Sequence, residues 1–223
     1  MKLSPKYLAF MKCRAKVEVL EGTTYAGKTT VGAVKFLFRV AESPQRTHIM
    51  AGNDLGTLEK NVITKDHGLL DVFGSLLSYY PKGANKITMP HLLYHTPGGD
   101  KIIYVLGYDN KARWKKALGG QYGCVYIDEA NIADMDFIRE VSIRYDYMMM
   151  TLNPDDPNLP VYKEYINRCR PLPEWADQTP QELLKQLDQP PMPGWVHWYF
   201  TFDDNPALTP EKRQQLLAGV APG

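Results

Sequence analysis

The chain has 223 residues, 44% hydrophobic and 23% charged, which is enough apolar material for one substantial core beneath an ordinary soluble surface. Lys plus Arg total 26 against 25 Asp plus Glu, so no global field draws the chain to nucleic acid or membrane, and any such surface must be local. Three scattered cysteines, Cys13, Cys124 and Cys169, fit neither a disulfide framework nor zinc-ligand spacing, and no apolar run approaches the roughly 20 residues of a membrane helix. A soluble, unexported chain in a reducing compartment, with no membrane partner, is expected.

Residues 2–14 mix basic positions with Tyr7, Leu8, Phe10 and Met11, the pattern of a short helix docked on the core. Residues 17–20 predict a strand, 21–27 a turn and 28–41 a helix. A second strand at 47–51 precedes helical spacing over 55–80, which Pro81 ends. Strands alternating with helices imply a parallel sheet covered on both faces. Within that alternation, 91–94 and 101–106 flank Thr96-Pro97-Gly98-Gly99-Asp100, a hairpin signal that predicts an antiparallel insertion.

Residues 123–127 form an apolar strand ending in Asp128-Glu129, followed by a helix over 135–144 and a second apolar strand, 147–152, ending at Asn153-Pro154. The segment 170–194 is proline-rich around one helical pattern at 180–187 and is expected to leave the sheet. A late strand at 196–202 and a helix over 209–217 complete one domain, 1–218, with a small-residue tail at 219–223. The carboxyl ends of parallel strands form the ligand crevice of an open α/β sheet. Residues 22–30, Asp128, Glu129 and Asn153 are therefore expected to converge there.

Gly22-Thr23-Thr24-Tyr25-Ala26-Gly27-Lys28-Thr29 satisfies the P-loop pattern, between a predicted strand and a predicted helix as its mechanics require. The glycines let backbone N–H groups face phosphate, Lys28 neutralises charge, the Thr29 hydroxyl can ligate magnesium, and Thr30 continues the helix start. Cys124-Val125-Tyr126-Ile127-Asp128-Glu129 has the Walker B form: Asp128 would hold Mg2+ and Glu129 would polarise the attacking water. A helix cap explains Asp128 locally as well. Asn153 would meet the γ-phosphate or the lytic water, or it is only part of an Asn-Pro turn. The five histidines have no metal-binding spacing, and Trp195, Trp198, Tyr199 and Phe200 read as core.

The order of EGTTYAGKTT, CVYIDEAN, MMMTLNP and WVHWYFTFDDNP, spread over residues 18–217, resembles the ATPase domain of tailed-bacteriophage terminase large subunits. The resemblance implies an α/β P-loop NTPase of the additional-strand, conserved-glutamate class, with a mostly parallel central sheet flanked by helices. It further implies Mg2+-dependent ATP hydrolysis that drives double-stranded DNA into a procapsid, in the cytoplasm of an infected host cell. The partners would be the portal protein, a small terminase subunit and further copies in a ring. Thr151 and Asn153 match the family's coupling motif, and Asp204-Asn205-Pro206 its late signature, for which a capping or structural role is expected.

Two departures matter. Thr23, Thr24 and Tyr25 stand where some members carry a P-loop arginine, so a trans-acting one is sought; Arg113 is the first candidate and Arg139 and Arg144 follow. Arg113 equally fits a basic loop at 111–116 that meets DNA phosphates or solvent. The tail 219–223 is expected to lead toward a C-terminal nuclease domain absent from this chain, and Asp203-Asp204 is too isolated to replace one, so no DNA cleavage is expected. A GTPase would carry an NKxD-like segment, which Asn110-Lys111-Ala112-Arg113 does not complete; a nucleotide kinase or another P-loop ATPase not acting on DNA is the alternative reading, against which Asp128-Glu129 argues for water as acceptor.

Overall fold

In the computed structural model, which describes residues 2–219, the sheet grows around strands with no exposed side. β1 (Val17–Gly22) and β7 (Tyr147–Leu152) are buried at every position, as strands covered on both faces must be. With β2 (Thr47–Gly52), β3 (Leu77–Tyr80), β4 (His91–Thr96), β5 (Gly99–Gly107), β6 (Cys124–Ile127) and β8 (Trp195–Phe200) they form one sheet, ordered β3-β4-β5-β2-β6-β7-β1-β8. From β5 to β8 every pairing is parallel, and β3 and β4 attach antiparallel at one edge. β7 lies between β1 and β6, which is the additional strand of the class named above.

Side chains alternate across the sheet with period two. Leu20, Met50, Tyr126, Met149 and Trp198 face α1 (Pro5–Lys12), α2 (Lys28–Glu42) and α4 (Leu69–Phe73). Val19, Ile49, Val125, Ile127, Met148 and Met150 face α5 (Lys111–Ala117), α6 (Met135–Val141) and α7 (Pro160–Glu164). The docked N-terminal helix is α1: Ser4 caps it, and Tyr7 stacks on Phe200 with ring centroids 4.1 Å apart. The proline-rich segment runs along the outer edge of β8, where Arg170 bridges Val196, and carries α8 (Gln181–Gln186). α9 (Pro210–Gly219) ends the described chain, and residues 220–223 of the expected tail lie outside it.

Two expectations need correction. The helical spacing over 55–80 is not one helix: α3 (Leu55–Leu58), a widened turn at Glu59–Ile63 and α4 are separate, and Gly74, at φ +52°, turns the chain into β3. Pairing of Leu77 with Tyr94 and of Tyr79 with Leu92 overrides the helical pattern, because an edge strand needs only a partner and β-favouring aromatics. The basic stretch 111–116 is a helix rather than a loop. Asn110 caps it by accepting from the Arg113 N–H at 3.1 Å, and Trp114, only 1% exposed, anchors it.

β1 also carries two buried carboxylates. Glu18 accepts from Tyr147 Oη at 2.6 Å and Trp198 Nε1 at 3.0 Å and pairs with Lys35 of α2 at 2.5 Å. Glu21 faces the opposite side, where it meets His197 Nε2 at 2.8 Å and accepts from Tyr162 Oη at 2.9 Å. Removing one partner of a buried ion pair strands a charge and costs about 3–5 kcal/mol. Lys35→Met should therefore lower the unfolding free energy by about 3 kcal/mol in urea titrations, and adding Glu18→Gln should recover part of it; simple additivity of the two losses would show the groups are not coupled.

Candidate active site

β1 ends at Gly22, where only glycine fits. Its φ is +152°, and a Cβ there would stand 1.8 Å from the Phe200 carbonyl oxygen, because the Thr23 N–H donates to that oxygen at 3.0 Å. The loop then curls through Tyr25, at φ +63°, and Gly27, at φ +90°, into α2, whose first residue is Lys28. Its carbonyls are held by donors. Tyr7 Oη donates to Ala26 O at 2.9 Å, Asn205 Nδ2 to Tyr25 O at 2.8 Å, and Lys28 Nζ to Gly22 O at 2.7 Å and Thr23 O at 2.8 Å. With the carbonyls engaged, the amide N–H groups and the α2 N-terminus make a concave site for an anion.

Thr24, Tyr25, Lys28 and Thr29 line a cleft of about 450 Å3, together with Asp128, Glu129, Thr151, Asn153, Asn61 and Lys65. Lys28 Nζ also donates to Asn153 Oδ1 at 3.0 Å, which ties the P-loop to the end of β7. Burial lowers the Lys28 ammonium to about 8, against the opposing pull of Asp128 and Glu21. Gly22, Thr23, Ala26 and Gly27 belong to the same loop but do not line this cleft; Gly27 and Thr30 instead open on a second cavity of about 580 Å3 with Tyr7 and Asn205.

Asp128 sits at the carboxyl end of β6, 7% exposed. Its Oδ1 accepts from Thr151 Oγ1 at 2.5 Å, Tyr126 Oη at 3.1 Å and Thr29 Oγ1 at 3.4 Å. Burial raises this carboxyl, and the three hydroxyls oppose the rise. Asp128 is therefore no helix cap; its Oδ1 belongs to the cleft. Cis ligands of an octahedral ion at ~2.1 Å lie ~3 Å apart, so Asp128 and Thr29 offer two hard oxygens at a separation that fits Mg2+, with water and phosphate to complete its shell.

Glu129 follows in the left-handed region, φ +52° and ψ +49°, a conformation that a non-glycine residue adopts at a cost of roughly 1–3 kcal/mol. Tyr108 Oη lies 3.1 Å from the carbonyl oxygens of both Asp128 and Glu129 and can donate to either, supporting the turn from below. The carboxyl is exposed to the cleft and raised by partial burial, then by Asp128 and Asp54. A carboxylate pushed upward and facing a cavity is a better proton acceptor than one in open water.

The described structure thus brings the P-loop, Asp128, Glu129 and Asn153 to one cleft and leaves Arg113 outside it. Arg113 is exposed on the first turn of α5 and lines a separate cavity with Asp54, Asp109 and Lys116. Arg139 and Arg144 pair with Glu164 and Glu140. The late signature has a structural place: Asp204 accepts from the Thr201 N–H in a capping box and pairs with Lys6 at 3.0 Å, while Asn205 holds the P-loop. Sequence reasoning missed Tyr7, Tyr108, Tyr126, Asn61 and Lys65. Tyr126 lies within the Walker B segment and carried a local signal, since i and i+2 share a strand face; the other four lie in no motif.

A pH measurement tests the Lys28 environment. The unfolded ammonium titrates near 10.5 and the folded one near 8, so between these values the unfolded chain binds more protons and stability rises with pH. Across that window wild type should gain up to about 3 kcal/mol relative to Lys28→Met. A difference that stays flat from pH 7.5 to 10.5 would mean that Lys28 is not desolvated.

The family model for the terminase large subunit, T4likevirus-type, N-terminal part, matches residues 20–222. A search of curated proteins finds no match. Among solved structures the chain is similar to the large terminase of a thermophilic bacteriophage, with 19% identity and a TM-score of 0.73 over 97% of this chain and 50% of that one. It is also similar to the Thermus phage P74-26 large terminase ATPase domain, with 16% identity and a TM-score of 0.63 over 97% of this chain and 87% of that one. At these identities the structural likeness establishes the fold, and the chain spans about half the length of the first of these proteins. The family match, by contrast, runs through almost the whole sequence, from within β1 past the end of α9: the chain belongs to the family of T4likevirus-type terminase large subunits, whose N-terminal part it represents.

Proposed function

We propose that this chain is an ATP-hydrolysing motor domain and that, in its assembled form, hydrolysis drives double-stranded viral DNA into a procapsid. The observation that carries the reading is the cleft in which Lys28 and the α2 N-terminus face Asp128 and Glu129 across a space suited to phosphate. The large terminase of the thermophilic bacteriophage occurs in complex with ADP and with ATP-gamma-S, which supports a nucleotide as the occupant here.

In this reading the P-loop amides and Lys28 bind the β- and γ-phosphates, and Lys28 exchanges its carbonyl partners for phosphate oxygens. Thr29 and Asp128 would hold Mg2+, which when bound would neutralise phosphate charge. A water attacks the γ-phosphorus, its proton passes to Glu129, and the bond to the β–γ bridging oxygen breaks to give ADP and phosphate. Asn153 and Thr151, at the end of β7, sense the γ-phosphate through Lys28 and Asp128 respectively.

The domain would span 1–218, work as a ring on the portal protein with a small terminase subunit, and act in the host cytoplasm; among the described residues no helix is long and apolar enough to cross a membrane. Arg113 would complete a neighbour's site. Its exposure on α5, its position outside its own cleft and the lack of any ion pair on its guanidinium among the described residues support that role. No DNA cleavage is expected of this chain: Asp203 pairs with Arg213 and Asp204 with Lys6, so both carboxylates already serve the structure.

Glu129→Gln should bind Mg·ATP and lose about 100- to 10,000-fold in turnover, since the amide keeps the shape without accepting a proton. Near-normal phosphate release by that variant would remove Glu129 from the mechanism. In the same preparations supercoiled plasmid should stay intact with Mg2+ or Mn2+, and metal-dependent nicking that copurifies with the protein would overturn the ATPase-only reading.

For Arg113, turnover per subunit should rise on assembly, and Arg113→Ala should abolish that rise while nucleotide still binds, a loss of about 10³-fold or more for a trans-acting guanidinium. Mixing Arg113→Ala with Glu129→Gln should restore part of the activity, because one contributes the carboxylate and the other the arginine. Co-assembled mixtures that remain inactive would exclude a role in trans.

A further inference from the structure

The cleft contains a second lysine that no motif contains. After α3 the chain takes one widened turn, Glu59–Ile63, in which the Thr64 N–H donates to the Glu59 carbonyl five residues back at 2.9 Å. Such turns are rare and concentrate at functional sites. This one buries Val62 and Ile63 in the core and sets Asn61 and Lys65 against the cleft that holds Lys28, Thr29 and Asp128. Lys65 Nζ donates to Thr30 Oγ1 at 2.9 Å, in the first turn of α2, where free amides and the helix dipole already favour an anion.

Lys65 is half-buried and its side-chain partner among the described residues is a neutral hydroxyl; the ion pairs of those residues leave it without a carboxylate. Burial lowers its ammonium, and the Asp128 charge only partly compensates. A cation kept in this state gains more from an arriving anion than a solvated one would. The lining agrees. Lys65 is the one cation besides Lys28 among the described residues that line the cleft, where both face Asp128 and Glu129.

We propose that Lys65 is a second phosphate-binding cation of the nucleotide site, contributed by its own chain from the turn after α3, and that it exchanges the Thr30 hydroxyl for a non-bridging phosphate oxygen. The proposal rests on the nucleotide-hydrolysing reading and adds a residue to it. It also makes the segment between β2 and α4 responsive to the nucleotide, since Lys65 is held only two residues from the core anchor Ile63.

The test compares the affinity of wild type, Lys65→Met, Lys65→Arg and Lys28→Ala for ATP and for adenosine. Lys65→Met should weaken ATP about 10- to 100-fold, the loss expected for one charge-assisted hydrogen bond, with adenosine unchanged, and Lys65→Arg should retain most of the ATP affinity. ATP affinity that is unchanged in Lys65→Met while Lys28→Ala loses it overturns the role of Lys65 and leaves the nucleotide site standing. Failure of wild type itself to bind ATP removes both. A measurement without any variant covers the case in which Lys65→Met does not fold: amine-reactive labelling of wild type, read residue by residue by mass spectrometry. Saturating ATP should slow labelling of Lys65 about tenfold or more and leave the exposed Lys82 unaffected; equal labelling of Lys65 with and without ATP overturns the proposal.

Discussion

Two carboxylates buried in one strand set the terms on which this fold can close. Glu18 and Glu21 lie on opposite faces of β1, each at most 1% exposed, and a buried carboxylate without partners costs several kcal/mol. Each is satisfied from separate parts of the chain: Glu18 by Lys35 of α2, Tyr147 of β7 and Trp198 of β8, and Glu21 by His197 of β8 and Tyr162 of α7. These bonds require β1 to sit between β7 and β8 in one register, with α2 on one face and α7 on the other. A one-residue slip of β1 would send each carboxylate to the wrong face.

That register fixes the P-loop, because Glu21 directly precedes Gly22. β8 passes so close that Gly22 admits no side chain, and the same strand leads through Thr201 and Asp204 to Asn205, which holds the Tyr25 carbonyl. α1 closes the other side through Tyr7 and the Ala26 carbonyl. The loop backbone is thus held by both ends of the described chain through Tyr7 and Asn205, contacts that do not involve the Lys28 ammonium. The charged groups of the cleft are likewise prepared: Lys28, Asp128 and Glu129 are all held away from their ordinary ionisation by burial.

The likeness to phage terminase structures at 16–19% identity is what such an arrangement allows. Buried positions need only apolar volume in the right period, which many sequences supply. Tight turns and carboxyl strand ends tolerate far fewer residues, since backbone dihedrals and oxygen donors have few substitutes.

Much of this was present in the sequence. Residues 22–30 specify a glycine turn entering a helix, the period-two and unbroken apolar runs specify β1, β6 and β7, and the rule that ligands gather at carboxyl strand ends joins Lys28, Asp128 and Asn153 across more than a hundred residues. These are local signals, fixed by backbone chemistry and spacing. Other features were decided only by tertiary structure. Residues 77–80 are a strand because β4 offers them hydrogen-bond partners, and 111–117 a helix because Trp114 finds a pocket. Tyr7, Tyr108 and Lys65 reach the Ala26 carbonyl, the Asp128 carbonyl and the Thr30 hydroxyl only because folding brings them there from segments with no motif of their own. A side chain's partner across the fold leaves no trace in its neighbours along the chain, so spacing alone identifies the loop that cradles an anion but not the groups that hold the loop in place.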